Sequence, residues 1–550
     1  MSSSSSLRLV RENWKAGLNV ALISIPLSLS LAIASGARPI MGIITAIWAG
    51  LAAAVFSGSR FNVIGPAGAL SGILTAYALS FGVESLPMLA ILTGILILIC
   101  YALKWDKYIV FIPSAVVHGF TLGVAFIIGL GQLNAALGLP KLPAHDTLIR
   151  NVVESLSSIG QTDPTSFSLF LLCFIALFLL AKFVPRVPGP VIVAIIGITI
   201  GYAANVGWIH LNIATLFDKY GTFKAELIAI PHFELPAINT KFLSAVLTTA
   251  IVAMLETLLS AKIADSMARA EKPFDQRKEM FGLGVANVLS GLVGGLPATG
   301  VLARTALNIK SGATSKVASG LNALFVLVLS FFLFQGFQYL PLAVVASILM
   351  YVAIRMIGLE HYRNLFTMDK TMFFLSIIVA ALTVVVDPLV GILAGSTVAM
   401  LLFLQQLSKG QSEVTIHRDK RMVARVPQTK LKELEDHGDI TVYRFAGELT
   451  YFNGIAHAST IRSLRGCHTI ILSLRNLFYI DIDGVETLAD IIKEAKSRER
   501  KVILTGVGES IAPMLSKVRW YREKMQNGSV FGSTTDALTA LGFPLTKAGK

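Results

Sequence analysis

The sequence predicts an α-helical polytopic membrane protein of fourteen spans, built as two inverted seven-helix repeats, with a small α/β domain after the last span. Three observations predict it. The 550-residue chain is 54% hydrophobic and only 15% charged, with a mean hydropathy of +0.69, whereas a soluble chain carries roughly 25% charged residues. Apolar stretches recur from about residue 15 to 406 and then stop. Two of them, Asn62–Leu70 and Gly294–Arg304, are broken by Gly and Pro in the same way.

A span needs about 20 mostly apolar residues, fewer where the helix is broken or buried. Such stretches fall at about 15–36, 39–57, 66–82, 86–103, 109–131, 167–184, 189–207, 242–267, 281–296, 301–309, 317–335, 341–354, 371–386 and 388–406. The tenth is too short to cross alone. Irregular backbone at membrane depth survives only where protein or a water-filled cavity covers it, so segments three and ten are expected to face an interior site. Repeat one covers about 15–210 and repeat two about 241–407. With an odd number of spans per half, the second half enters from the opposite side. Both interruptions take third place in their half, which is the mark of inverted-topology repeats.

Orientation follows from Lys and Arg in the short loops. Every loop after an even-numbered span is basic, from Arg60 through Lys104 and Lys107 to Arg355, Arg363 and Lys370, whereas Arg38 alone marks the short loops after odd-numbered spans. Both termini are therefore expected in the cytoplasm of a cell (inner) membrane, with 1–14 a cytosolic lead. The first apolar run continues into a full span, so no cleavable signal peptide is expected. Topology accounts for the net charge of +14 better than nucleic-acid binding does. Cys100, Cys173 and Cys467 are far apart, so neither disulfides nor a metal cluster is implied. No cofactor is expected. The two long outside loops, 132–166 and 208–241, carry no signal of their own.

After about residue 407 the character changes. Ile440–Phe445 alternates as a half-buried strand does, Thr469–Leu474 reads as a buried strand, Val485–Arg498 as an amphipathic helix and Lys501–Leu504 as a third strand. Strands alternating with helices argue a small α/β domain over 408–550, on the cytosolic side.

Chemistry concentrates in two places. Glu256 lies well inside span eight, where a carboxylate must face a cavity, pair or take up a proton. Ser260, one turn on, shares its face and can add a ligand oxygen. Arg304 falls in the first turn of broken segment ten, where the positive end of the helix dipole disfavours a cation. An anion between them turns that conflict into attraction, because helix N-termini bind anions through free N–H groups. The alternatives are permanent pairing with Glu256 or a carbonyl, or snorkelling toward the cytosol. Lys262, Asp265 and Arg269 read as a helix-end charge cluster, His118 as a bonded core histidine, and Asp387 with Pro388 as the turn between spans thirteen and fourteen. No P-loop or hydrolase constellation is present, so a transporter is expected and not an enzyme.

These residues resemble the SulP family, the sulfate-permease relatives that include prestin. The most specific stretches are Leu255–Met267, Gly284–Gly300, Arg304–Asn308, Ala16–Pro26 and Gly65-Pro66. The resemblance implies core and gate domains in a uracil-permease-like arrangement, a homodimer, and an anion held between the facing N-termini of half-helices three and ten. The substrate-binding set it implies is Gly65, Pro66, Ala67, Gly68, Ala69, Thr299, Gly300, Val301 and Arg304, with Glu256 and Ser260 for the coupling ion. The C-terminal domain resembles a STAS domain, whose signature loop stands here as Asp481-Ile482-Asp483-Gly484. With no serine in that loop, a scaffold or dimerisation role is expected there in place of a phospho-switch.

The expected function is secondary active transport of a small oxyanion, sulfate first, by proton symport and an elevator-like shift. Alternatives are a sodium-coupled bicarbonate transporter, a proton-coupled dicarboxylate transporter, an uncoupled anion channel, and a transceptor whose STAS domain engages cytosolic partners.

Overall fold

The computed structural model describes residues 3–543 apart from 108–111, 141, 144, 146, 185–187, 224–225, 229, 232–238, 387, 420, 428–430 and 432–437, with backbone alone for 3–6. The turn expected at Asp387 lies outside the described residues. By internal contacts the chain divides into two compact units, Met1–Ala399 and Met400–Lys550.

The first unit opens with α1 (Ser3–Ala34), α2 (Pro39–Phe56), a two-residue strand β1 (Ile64–Gly65) and α3 (Ser71–Phe81), then α4 (Leu86–Ala102) and α5 (Ser114–Leu130). Three short helices, α6 (Leu133–Leu137), α7 (Leu148–Ser157) and α10 (Leu216–Tyr220), lie in the two long loops, and α8 (Pro164–Phe183) and α9 (Gly189–Asn205) span between them. The second half repeats the plan: α11 (Thr240–Ala268), α12 (Gln276–Leu292), the strand β2 (Thr299–Gly300), α13 (Leu302–Lys310), α14 (Val317–Leu333), α15 (Leu342–Met356), the short α16 (Leu359–Met368), α17 (Lys370–Val385) and α18 (Pro388–Ser408).

Nine segments among the described residues are long and apolar enough to span alone. The other five positions are filled by shorter helices: α3, α9, α17, α12 and the nine-residue α13. The two shortest, α3 and α13, suffice because their N-termini end at buried backbone inside the protein. The protein is thus a multi-pass membrane protein of seven plus seven spans.

Helix contacts come in pairs that the inverted repeat relates. Packing of α4 on α12 is answered by α14 on α2, α1 on α14 by α11 on α4, α5 on α17 by α15 on α8, and α1 on α13 by α11 on α3. The first four spans of each half thereby form one group, while α5, α8, α15 and α17 pack together in a second, which α18 joins where its Gly395 faces Val379 and Val116. Small residues permit the close approach: a Cβ on Gly94 of α4 would lie 2.6 Å from the Gly284 carbonyl oxygen of α12. The interior is apolar, with Leu29, Ile43, Ile44, Leu70 and Val344 fully buried.

Two starts differ from expectation. Helix α1 begins at Ser3, so the lead from residue 3 to 14 is helical and runs straight into span one. Helix α12 begins at Gln276 and not near 281, because the Asp275 carboxylate caps it by accepting from Lys278 N at 3.0 Å.

The second unit holds a six-stranded sheet in the order β4-β3-β5-β6-β7-β8. Its strands are β3 (Gln411–Arg418), β4 (Arg421–Pro427), β5 (Ile440–Leu449), β6 (Thr469–Ile480), β7 (Lys501–Thr505) and β8 (Val530–Phe531). β3 runs antiparallel to both neighbours, and β5 to β8 are parallel. The helices α19 (Gly454–Arg462), α20 (Ile482–Ser497), α21 (Ala512–Leu515), α22 (Arg519–Gln526) and α23 (Thr534–Ala540) connect them. Tyr443, Phe445, Leu472, Leu488 and Leu504 make a sealed core.

Candidate functional site

The two interruptions meet. β1 and β2 pair antiparallel, with Ile64 opposite Gly300 and Gly65 opposite Thr299. Because the pair is antiparallel, the chain leaves it in opposite directions. A 3-10 turn at Gly68–Leu70 leads into α3, and Val301 leads into α13. The N-termini of both half-helices therefore point toward the strand pair. Neither Ala67 nor Val301 caps its helix with a side chain, so the first N–H groups of each have no intrahelical acceptor. Gly65, Pro66, Ala67, Ala69, Thr299 and Gly300 are buried, and Gly68 and Val301 half-buried.

Arg304 is third in α13 and only 1% exposed. Side chains on a helix tilt toward its N-terminus, which carries this guanidinium back over the strand pair. Nη2 donates to Ser28 Oγ of α1 at 3.1 Å, while Nε has no hydrogen-bond partner. No carboxylate among the described residues lies within ion-pair distance of it. It neither snorkels nor pairs with Glu256. The guanidinium instead lies across Gly65, where an added Cβ would come within 2.6 Å of Nη1. A sealed cation and two uncapped helix N-termini at one strand pair make a positive site suited to a small anion.

Glu256 stands beside it on α11. Thr299 Oγ1 donates to its Oε2 at 2.5 Å. The next residue along, Thr257, accepts from Gly300 N through its hydroxyl at 2.8 Å. Helix α11 thus grips β2 at two successive residues, and a half-buried carboxylate borders the site. Ser260 lies elsewhere: sealed inside, it donates to Asn62 Oδ1 at 2.8 Å and sits 3.3 Å from Thr305 Oγ1. The structure therefore brings Arg304, Gly65, Thr299 and Glu256 together and points the Ser260 hydroxyl into a neighbouring polar network.

Three residues of the site were not singled out from the sequence. Ser28 is one of several serines on α1. Asn287 of α12 accepts from Ala298 N at 2.8 Å and donates to Ala298 O at 3.0 Å, holding the lead into β2. Asn62 does the same before β1 through four partners. A polar side chain facing inward from an apolar helix was the available signal for Asn287.

Elsewhere, the His118 ring stacks on that of His361 at 3.5 Å between centroids, and the Tyr362 hydroxyl donates to the His118 carbonyl at 2.6 Å. In the second unit, Asp481 caps α20 by accepting from Gly484 N at 2.7 Å, and also accepts from Tyr451 N at 3.2 Å. Asp483 is exposed in the first turn, where its charge complements the helix dipole. Gly484 is required by space, since a Cβ there would meet the Leu449 carbonyl oxygen at 2.2 Å.

Comparison with known proteins agrees with this architecture. The model of the sulfate permease family matches residues 11–379, and that of the STAS domain matches 432–527. The chain is 29% identical over 519 residues to a Bacillus subtilis protein named "Putative sulfate transporter YvdB", covering 93% of this chain and 94% of that one. It is 25% identical over 532 residues to the bicarbonate transporter BicA of Picosynechococcus, covering 94% and 92%. Its fold is similar to that of the murine Slc26a9 anion transporter in the inward-facing state, with a TM-score of 0.81 at 16% identity over 99% of this chain and 96% of that one. The chain belongs to the sulfate permease family, a family of membrane permeases and not of enzymes.

Proposed function

We propose that the protein is a secondary active carrier of a small oxyanion, sulfate first, coupled to protons and working by an elevator-like shift of the site-bearing helices. The observation that carries this reading is Arg304: a sealed guanidinium with no carboxylate partner among the described residues, at two uncapped helix N-termini. Burying a cation without a counter-charge is costly, and an oxyanion supplies both the charge and the acceptor oxygens. Glu256, which accepts a hydrogen bond from Thr299 of β2, would carry the coupling proton. The division of spans into two contact groups suits movement of one against the other. The carrier would work as a homodimer in the cell membrane with both termini cytoplasmic, its STAS domain serving as scaffold.

The second reading is bicarbonate transport coupled to sodium, favoured by the similarity to a bicarbonate transporter. Arg304 weighs against it, since a fixed cation already supplies the charge that sodium would bring. Uptake of labelled sulfate, bicarbonate and fumarate into proteoliposomes, with and without sodium and with and without a proton gradient, decides. Proton-driven, sodium-independent sulfate uptake is expected. Sodium-dependent bicarbonate uptake with no sulfate uptake would replace it.

A further inference from the structure

Glu279 is 0% exposed, yet among the described residues it has no cationic partner within ion-pair distance. It sits in the first turn and a half of α12, after Arg277 and Lys278. A carboxylate so placed must be satisfied by donors. Three supply it: Gly58 N at 2.9 Å and Ser59 N at 2.7 Å donate to Oε2, and Asn62 Nδ2 donates to Oε1 at 2.8 Å. Its entire hydrogen bonding is thus spent on the five residues that lead into β1.

Asn62 relays this inward. Its Nδ2 also reaches the Thr257 carbonyl at 3.3 Å, and its Oδ1 accepts from Ser260 at 2.8 Å and from Thr305 at 3.0 Å. Thr305 Oγ1 in turn accepts from Val63 N at 3.0 Å, and Val63 O accepts from Val301 N at 2.9 Å. One amide therefore ties α11, α12, α13 and the β1 lead together, one residue from Arg304. The same helix α12 holds the β2 lead two turns on, through Asn287.

We infer that Glu279 and Asn62 are a positioning pair for the anion site: the buried carboxylate orients the Asn62 amide, and the amide sets the register of β1 against α13, which places Gly65 under the Arg304 guanidinium. This rests on the carrier reading above. The hydrogen bonds of both side chains go to protein groups, so their loss loosens the site and weakens affinity while leaving the moving parts intact. A residue needed only for folding lowers the amount of active carrier and leaves KM alone.

The test is a charge-reversal rescue on the full chain in proteoliposomes at pH 8, using whichever of sulfate, bicarbonate and fumarate the wild type takes up fastest. Asn62→Asp sets a second carboxylate against Glu279 at hydrogen-bond distance, where like charges repel. KM is expected to rise about tenfold or more, with turnover per folded carrier within about threefold. Adding Glu279→Gln restores a donor–acceptor pair with reversed polarity, and KM is expected to return to within about threefold of wild type. Size-exclusion elution of each variant counts the folded carriers. If KM stays at the wild-type value in Asn62→Asp, or the double variant is as weak as the single, the positioning role is overturned and the carrier reading stands. If the wild type takes up none of the three anions, the carrier reading falls and this role with it.

Discussion

Thr299 donates its hydroxyl hydrogen to Glu256 at 2.5 Å while its own backbone lies opposite Gly65 in the strand pair. The carboxylate of one span is therefore bonded to the crossing point of both half-helices, the place proposed above for the anion. Glu256→Gln removes the titrating group but keeps an acceptor for Thr299. Accumulation driven by a pH gradient should be abolished, while exchange of internal for external anion persists. Proteoliposome uptake with an imposed gradient measures this, and retained gradient-driven accumulation would remove Glu256 from the coupling role.

Arg304 and Gly65 make a second prediction, on affinity. A hydrogen bond to a charged group contributes about 1.5–3 kcal/mol, so Arg304→Ala should raise KM by about tenfold to a hundredfold. Gly65→Ala should act in the same direction and less strongly, on the order of threefold to tenfold, because the crowding atom is the far end of a flexible side chain. Equal KM values for wild type and both variants in concentration-dependent uptake would show that the anion binds elsewhere.

What the sequence made legible here was whatever violates membrane chemistry. Gly and Pro inside apolar stretches marked the two crossings, and Glu256 and Arg304 stood out as charges at depth. Glu279 was hidden because it follows Arg277 and Lys278 and reads as one more charge at a cytosolic helix start. Only the fold reveals that the loop from Gly58 to Asn62 closes over it. Asn62 likewise reads as ordinary turn chemistry before a break. In the second unit the buried strands β5, β6 and β7 were legible from their apolar runs. The edge pair β3 and β4 was not, because charged residues at exposed positions interrupt its pattern. Helix α7 was missed in a long loop although Ile149, Val153 and Leu156 keep helical spacing on its exposed face.

The signature loop of the second unit gives a stability prediction. Asp481 caps α20 and ties it to Tyr451 N, so Asp481→Ala should cost about 1 kcal/mol locally. Gly484→Val should cost more, since its side chain would overlap the Leu449 carbonyl. Hydrogen exchange on the full chain should show faster exchange across α20 in both variants, with Gly484→Val the larger change. Unaltered protection in Gly484→Val would mean that the turn opens without loss.

His457 makes the second unit sensitive to acid. It is fully buried, with Nδ1 2.8 Å from the Tyr443 hydroxyl and Nε2 lacking any partner. Burial disfavours its charged form and lowers its pKa from 6.5 to about 4. Between those values the unfolded chain binds the proton and the folded domain does not, so stability falls as pH drops. The loss begins below about 6.5 and is complete near 4. At 1.36 kcal/mol per pKa unit it amounts to on the order of 3 kcal/mol. His417, also lowered by burial, adds in the same direction. Exchange protection of β5 and α19, corrected for intrinsic rates, should therefore decline from pH 7 to pH 5. His457→Gln keeps a partner for Tyr443 but cannot titrate, and it should flatten most of that decline. An equal decline in the variant would assign the acid sensitivity to other groups, because no other change at this position alters proton binding.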